Sequence, residues 1–195
     1  LPDGCGDADY LVALDAALPG DTATLKQRRV DVPVPSRDSW IVVVARGDER
    51  VSDDVGRSFD WIGGVLAAAV RSGGVEVAVH RGAGTWDRLG RLVCFAGVGP
   101  GESLDPQGRK VVGLSQRRTR EQVRFQTVAY RQVPVEATLA ALRDDQFPGD
   151  QFSGGRAAAV AELARRTAPL GTDRAVRWWQ HHVADALTQA SAVTT

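Results

Sequence analysis

The chain has 195 residues, of which 43% are hydrophobic, and this is enough to build the buried core of one domain. Its 24 basic and 24 acidic residues cancel to a formal net charge of zero, so no broad positive field favours nucleic acid as a partner. The longest apolar run, residues 65–70, is far shorter than the roughly 20 residues of a membrane-spanning helix, and the start does not resemble a secretory signal.

The first 38 residues have a poorly defined pattern. Residues 1–20 contain one candidate short helix, and residues 21–38 contain a candidate strand whose prolines do not suit a central ladder position. A β-branched run at residues 39–45, SWIVVVA, predicts a buried strand. Apolar residues then recur at helical spacing, with Asp53 or Asp54 as the N-cap and Gly73 and Gly74 at the end. This spacing predicts a helix at about residues 54–72.

The middle of the chain is rich in predicted strands. Residues 75–80, VEVAVH, and residues 91–97, RLVCFAG, each predict a strand, and residues 98–108 predict a turn-rich loop. Residues 109–115 and 121–132 predict two strands that pair as a hairpin. The period of two places four side chains of the second strand on one face: Val123, Phe125, Thr127 and Ala129.

Helices dominate the rest of the chain. Residues 133–145, with Pro134 in the first turn, predict one helix, and residues 153–166 and 171–189 predict two more. Strands are thus followed by helices without regular alternation of the two. This order indicates an α+β fold with a mixed, largely antiparallel sheet flanked by helices. No repeat or linker divides the chain, so we predict a single domain over residues 1–195.

Cys5 and Cys94 lie far apart and outside any Cys/His cluster. This spacing argues against structural zinc and a disulfide framework, and it predicts a cytoplasmic location. The apolar neighbours Val93 and Phe95 predict that Cys94 is a buried, unreactive thiol. The three histidines are interpreted as structural residues: His80, His181 and His182.

The segment GRKVVGLSQRR, residues 108–118, holds one of only two lysines, Lys26 and Lys110, so twenty-two of the 24 basic residues are arginine. Lysine is a compact charge on a flexible stem that can follow a carboxylate or phosphate, whereas arginine is a rigid fork. The preceding glycine-rich loop offers backbone N–H groups to an anion, and Arg109, Arg117 and Arg118 add guanidinium groups. An anion site and a solvated basic hairpin tip both fit this pattern.

These residues resemble the lysine motif of the lipoate-protein ligase and octanoyltransferase family, in an actinobacterial-type sequence. In that family a Cys-Phe pair, a short acidic loop and the pattern G-[RK]-K-[VI]-x-G-x-[AS]-Q-R follow in order, as Cys94, Phe95 and GRKVVGLSQR do here. The resemblance is sharp over residues 91–126. It implies a catalytic domain similar to those of biotin protein ligases and class II synthetases.

The resemblance implies that Lys110 is catalytic and contacts the carbonyl and phosphate oxygens of an acyl-adenylate. Gly113 would let the strand backbone lie close to the ligand. Roles in binding substrate and nucleotide are implied for six residues in all: Gly108, Arg109, Gly113, Ser115, Gln116 and Arg117. The implied substrates are lipoate and ATP with Mg²⁺, and no side-chain metal site is expected. The implied partners are lipoyl domains of 2-oxoacid dehydrogenase complexes or the glycine cleavage H protein.

Two alternatives remain open at this stage. One is an octanoyl or lipoyl transferase in which Cys94 is the thioester nucleophile and ATP is not needed. The other is a non-catalytic paralogue that binds lipoyl domains. Biotin transfer is a lesser alternative, because acyl specificity depends on the shape of the pocket.

Three parts of the sequence depart from the family pattern. The family's RRxGGGAV segment, which holds the acyl chain and the phosphate, has no counterpart, and KQRRVDVPVPSRDSW stands in its place. The usual acidic pair before the lysine is replaced, so Glu102 or Asp105 is a candidate Mg²⁺ or ribose contact, or else a solvated carboxylate. Residues 150–195 are too few for the full accessory domain of large ligases.

Overall fold

The computed structural model describes residues 11–17, 23–32, 34–140, 142, 154–171 and 182. Seven strands are described: β1 Leu11–Ala17, β2 Ala23–Val32, β3 Val34–Ala45, β4 Ala78–Val79, β5 Ser103–Leu104, β6 Lys110–Arg118 and β7 Gln122–Tyr130. The described helices are α1 Ser58–Ser72, α2 Arg88–Leu92, α3 Val135–Ala140 and α4 Gly155–Arg166, with a 3₁₀ turn at Cys94–Ala96. The helix predicted at residues 171–189 lies almost wholly outside the described residues.

The described strands form one sheet in the order β1-β2-β3-β7-β6-β5-β4, and all neighbouring strands in it are antiparallel. The chain leaves the sheet after β3 and returns from the opposite edge through β4, β5 and β6. The hairpin of β6 and β7 is confirmed, with Val112 opposite Ala129 and Arg118 opposite Val123. The predicted α+β class with a largely antiparallel sheet flanked by helices is therefore confirmed.

The N-terminal part contains more strand than its sequence pattern predicts. β1 stands where a short helix was predicted, and β3 is longer than the strand predicted at residues 39–45. Pro35 fits in β3 because the ladder with β7 begins only at Arg37. The ladder with β2 is irregular at the same place. A proline at such a strand end removes no ladder hydrogen bond.

Helix α1 packs on one face of the sheet. It begins at Ser58, later than predicted, because the Asp54 carboxylate accepts a hydrogen bond from the Arg57 backbone N–H at 3.0 Å and closes a turn there. It ends before Gly73 and Gly74, as predicted. Its apolar stripe and the facing strands form the main core, which includes Ile62, Leu66, Ala69, Val70, Val111, Val112, Val123, Phe125 and Ala129.

The strand predicted at residues 91–97 is wrong. Asp87 caps a helix instead, because its Oδ1 accepts from the Gly90 N–H at 2.9 Å, and α2 and the 3₁₀ turn follow. A short apolar run does not distinguish a strand from a buried helical segment. Here its apolar side chains form a second core with α3 and α4, which includes Leu89, Val93, Phe95, Ala96, Val135, Leu139, Ala159 and Leu163.

Helices α3 and α4 confirm two of the predicted helices. Arg166 at the end of α4 reaches α2, where its Nη1 and Nη2 donate to the two carboxylate oxygens of Asp87 at 2.9 and 2.5 Å. This contact lowers the pKa of Asp87, and the hydrogen bond from the Gly90 N–H lowers it further. Within the described part of the chain, no helix has the length and apolarity needed to cross a membrane.

Candidate functional site

Lys110 is the first residue of β6, and its side chain is only 1% exposed. β6 carries one extra residue at this point, since Ser103 pairs with Val112 while Leu104 pairs with Lys110. Val111 and Val112 both belong to the main core, so the Lys110 side chain is turned away from α1 and toward Phe95. The irregular register thus places one lysine on the face of the sheet that the second core covers.

The ammonium of Lys110 has two polar partners among the described residues. Its Nζ lies 2.7 Å from Glu102 Oε2 and donates to the Cys94 backbone carbonyl at 3.2 Å. Glu102 is itself 3% exposed and accepts from the Gly99 N–H at 2.7 Å and the Leu114 N–H at 3.1 Å. The result is a buried ion pair in which the backbone fixes the carboxylate.

Two aromatic rings enclose this cation. Nζ lies 5.3 Å from the centroid of Phe95 and 5.8 Å from that of Trp86, distances at which a ring face attracts a cation. Trp86 is 45% exposed and lies against glycines, because a Cβ at Gly97 would sit 2.3 Å from its ring and one at Gly84 2.5 Å from its Nε1. Trp86 was not among the residues predicted to form the site, although the glycines around it are visible in the sequence.

Burial lowers the pKa of Lys110, and the charge of Glu102 and its hydrogen bond oppose that change by raising it. The Cys94 side chain also acts to raise it. Burial disfavours the charged form of the lysine, and the neighbouring Glu102 carboxylate favours it. Removal of Glu102 is therefore expected to lower the pKa of Lys110 further.

Cys94 does not have the surroundings predicted for it. It opens the 3₁₀ turn and is exposed, whereas a buried thiol in an apolar strand was predicted. The difference follows from α2 and the 3₁₀ turn, which bury the neighbouring Phe95 and Ala96 and leave Cys94 exposed. The Cys94 thiol is thus exposed, and the backbone carbonyl of the same residue accepts a hydrogen bond from Lys110.

The remaining predicted binding residues are distributed over different places. Gly108 has a φ of +76° at the exposed turn before β6, which favours glycine. The Arg109 Nε donates to Asp105 at 2.7 Å. A Cβ at Gly113 would lie 3.1 Å from the Phe95 ring, so the absent side chain makes room for packing.

Gln116 lies on the α1 side of the sheet. Its Oε1 accepts from the Ser58 hydroxyl at 2.9 Å, and its Nε2 donates to the Val55 carbonyl at 2.8 Å. Ser115 and Arg117 are exposed and alternate with it, so they share the opposite face with Gly113. The structure therefore brings Ser115 and Arg117, but not Gln116, to the side of the sheet that carries Lys110.

The carboxylates near Lys110 do not suit a metal ion. Glu102 has donors on both oxygens, and Asp105 accepts from the Gln107 N–H, the Arg109 N–H and the Arg109 side chain. Across the described residues, no three His, Cys, Asp or Glu side chains group closely enough to hold a metal. His80 makes a contact of 3.1 Å with the Ala83 carbonyl, and His181 lies outside the described residues.

No family model matches the sequence. No curated protein matches it either. Among solved structures, the chain is similar to a bi-partite lipoate protein ligase from Thermoplasma acidophilum, described with its E2 lipoyl domain, at 12% identity and a TM-score of 0.53 over 77% of this chain and 51% of that one. A lipoate-protein ligase A bound with ATP is similar at 11% identity and a TM-score of 0.48, over 77% of this chain and 52% of that one.

The first likeness shows the fold, which is that of a lipoate-protein ligase. The chain spans about half the length of these solved structures, with 51% and 52% of them covered. What the chain shares with the first of them is an antiparallel sheet with flanking helices. On that sheet, the described site is a buried lysine paired with a carboxylate, with an exposed cysteine beside it.

Proposed function

We propose that this chain is the catalytic part of a cytoplasmic, lipoate-protein ligase-like enzyme. It forms lipoyl-adenylate from lipoate and MgATP and transfers the lipoyl group to a lysine of a lipoyl domain. A lipoyl domain of a 2-oxoacid dehydrogenase complex and the glycine cleavage H protein are the proposed acceptors. The fold supports a ligase-like function in general, and the motif around Lys110 supports the particular reaction.

The observation that carries the proposal is the buried ammonium of Lys110 at the start of β6, inside GRKVVGLSQR. In adenylation the lipoate carboxylate attacks the α-phosphorus and pyrophosphate leaves. In transfer the acceptor amine attacks the acyl carbon and AMP leaves. Both steps build negative charge on oxygens, which a fixed ammonium in a water-poor site stabilises strongly.

Other side chains on the same face have supporting roles in the proposal. Ser115 and Arg117 are exposed on the face that carries Gly113, where they can contact the polar end of a bound nucleotide. Gln116 supports the site indirectly by tying β6 to Ser58 at the start of α1. Mg²⁺ is expected to arrive bound to ATP, since the Glu102 and Asp105 carboxylates already have donors.

The test is intact-mass spectrometry of an apo lipoyl domain incubated with the protein, lipoate and MgATP. We expect a lipoyl adduct that requires ATP. A parallel reaction replaces lipoate and ATP with an octanoyl-carrier donor. Absence of any adduct in both reactions would reject a catalytic role and favour the non-catalytic paralogue.

The exposed thiol of Cys94 suggests a second candidate function. In it the protein is a transferase that carries the acyl group as a thioester on Cys94. Here the thiolate attacks the donor carbonyl, the donor thiol leaves, and the acceptor amine then displaces Cys94. The backbone carbonyl of Cys94 accepts a hydrogen bond from Lys110 Nζ at 3.2 Å, so the exposed thiol belongs to a residue in contact with the lysine.

Replacing Cys94 with serine separates the two functions. The ligase proposal predicts that Cys94→Ser keeps ATP-dependent transfer within about 3-fold of the wild-type rate, because no covalent step uses the thiol. The transferase predicts a loss of at least about 100-fold and the disappearance of a hydroxylamine-sensitive adduct on the enzyme. Mass spectrometry of the enzyme and of the acceptor domain after reaction with each donor distinguishes the ligase from the transferase.

A further inference from the structure

Glu102 is a buried carboxylate that the backbone holds from two sides. The Gly99 N–H lies in the loop before β5, and the Leu114 N–H lies in β6. Because main-chain donors bind both oxygens, the carboxylate has little freedom to rotate. It therefore presents Oε2 to Lys110 in one position, 2.7 Å from Nζ.

An ammonium group has three protons to donate. In Lys110 one N–H faces the Glu102 carboxylate and a second donates a hydrogen bond to the Cys94 carbonyl. The described residues offer no further acceptor. The rings of Phe95 and Trp86 lie beside the same ammonium. The third N–H thus has no acceptor among the described residues.

We infer that Glu102 is a positioning residue, which fixes the Lys110 ammonium so that its third N–H meets a phosphate or acyl oxygen of the ligand. The identity of that ligand rests on the proposed function. This role differs from a Mg²⁺ or ribose contact, because both oxygens of Glu102 already accept hydrogen bonds inside the protein.

The charged surroundings of Lys110 make this role measurable. Glu102 and Cys94 are the titratable groups that act on its charge, while Phe95 and Trp86 contribute ring faces. The Asp87–Arg166 ion pair also contacts the 3₁₀ turn, because Arg166 Nη1 donates to the Ala96 carbonyl at 3.4 Å. Without Glu102, burial would dominate and Lys110 would lose its proton at lower pH.

The chain offers a direct readout, because it contains only two lysines, Lys26 and Lys110. The 195-residue chain labelled with ¹³C-lysine should give two side-chain NMR signals, and Lys110→Arg assigns them. Each signal is followed in a pH titration. In Glu102→Gln we expect the midpoint of the Lys110 titration to fall by about one pH unit or more, with that of Lys26 unchanged. Glu102→Asp keeps the negative charge on a side chain that is one methylene shorter, and it should give an intermediate midpoint.

The alkaline limb of the pH profile of kcat should move in the same direction and by a similar amount, since activity requires the charged lysine. Asp48→Asn is a matched control, because the Asp48 side chain is 5% exposed and its carboxylate is paired with Arg50 in the turn after β3. It should move neither readout. If Glu102→Gln does not fold, as judged by circular dichroism, Glu102→Asp carries the test.

An unchanged Lys110 midpoint in the folded variants would overturn the inference. A wild-type protein that modifies no acceptor from any donor would instead reject the proposed function. In that case the NMR titration would still decide whether Glu102 sets the charge of Lys110.

Discussion

Lys110→Ala is expected to reduce lipoyl transfer by at least about 100-fold, because one fixed donor at a developing oxyanion contributes a factor of 100 to 1,000. Stability should fall as well, by about 3–5 kcal/mol, since Glu102 would remain as a buried charge without its partner. A single lysine variant therefore mixes two effects. Both have to be measured before the lost activity is assigned to chemistry.

The double variant Lys110→Met/Glu102→Gln separates them. Methionine keeps an unbranched side chain of similar length, and glutamine removes the second charge while its one carbonyl oxygen accepts from either the Gly99 or the Leu114 N–H. Urea denaturation should show part of the lost stability restored, because the buried unpaired charge is gone and one backbone hydrogen bond stays lost, while transfer stays at the level of Lys110→Ala. Recovery of transfer in the double variant would contradict a role for the lysine charge.

Lys110 can be singled out from the sequence, whereas the residues that surround it cannot. The scarcity of lysine and the GRKVVGLSQR motif single out one position on a strand, and both are local signals. Its partner Glu102 lies in a glycine-rich loop, where no helical or strand periodicity indicates which way a side chain points. From the sequence it was predicted only as a Mg²⁺ or ribose contact or as a solvated carboxylate. Its pairing depends on how β5 meets β6 at an irregular register, which no local pattern encodes.

The fold was predicted best where the hydrophobic pattern has a clear period. The alternating β7 and the amphipathic α1 were found, with errors only at their ends. The segment at residues 91–97 was wrong because its run of apolar residues carries no period, and tertiary packing decided its course. The same ambiguity affected Cys94, whose predicted burial depended on the predicted strand.

Gly63→Ala is expected to destabilise the protein by about 1–3 kcal/mol, although alanine is the better helix former. Gly63 lies in α1 where a Cβ would sit 2.4 Å from the Gly101 carbonyl oxygen and 2.7 Å from its Cα. Gly101 has a φ of +80° and directly precedes Glu102. Since the obstacle is backbone, relief requires the loop before β5 to shift, and Glu102 would shift with it.

The adjacent Gly64 supplies the control, because a Cβ there meets nothing within 4 Å. Gly64→Ala should therefore stabilise the protein by about 0.5–1 kcal/mol through its helix propensity alone. Urea titrations of both variants isolate the clash, and the ¹³C-lysine titration should show a lowered Lys110 midpoint only in Gly63→Ala. Equal stability of the two variants would mean that the loop before β5 moves aside at no cost in free energy. The close contact between α1 and Gly101 would then not be the feature that holds Glu102 against Lys110.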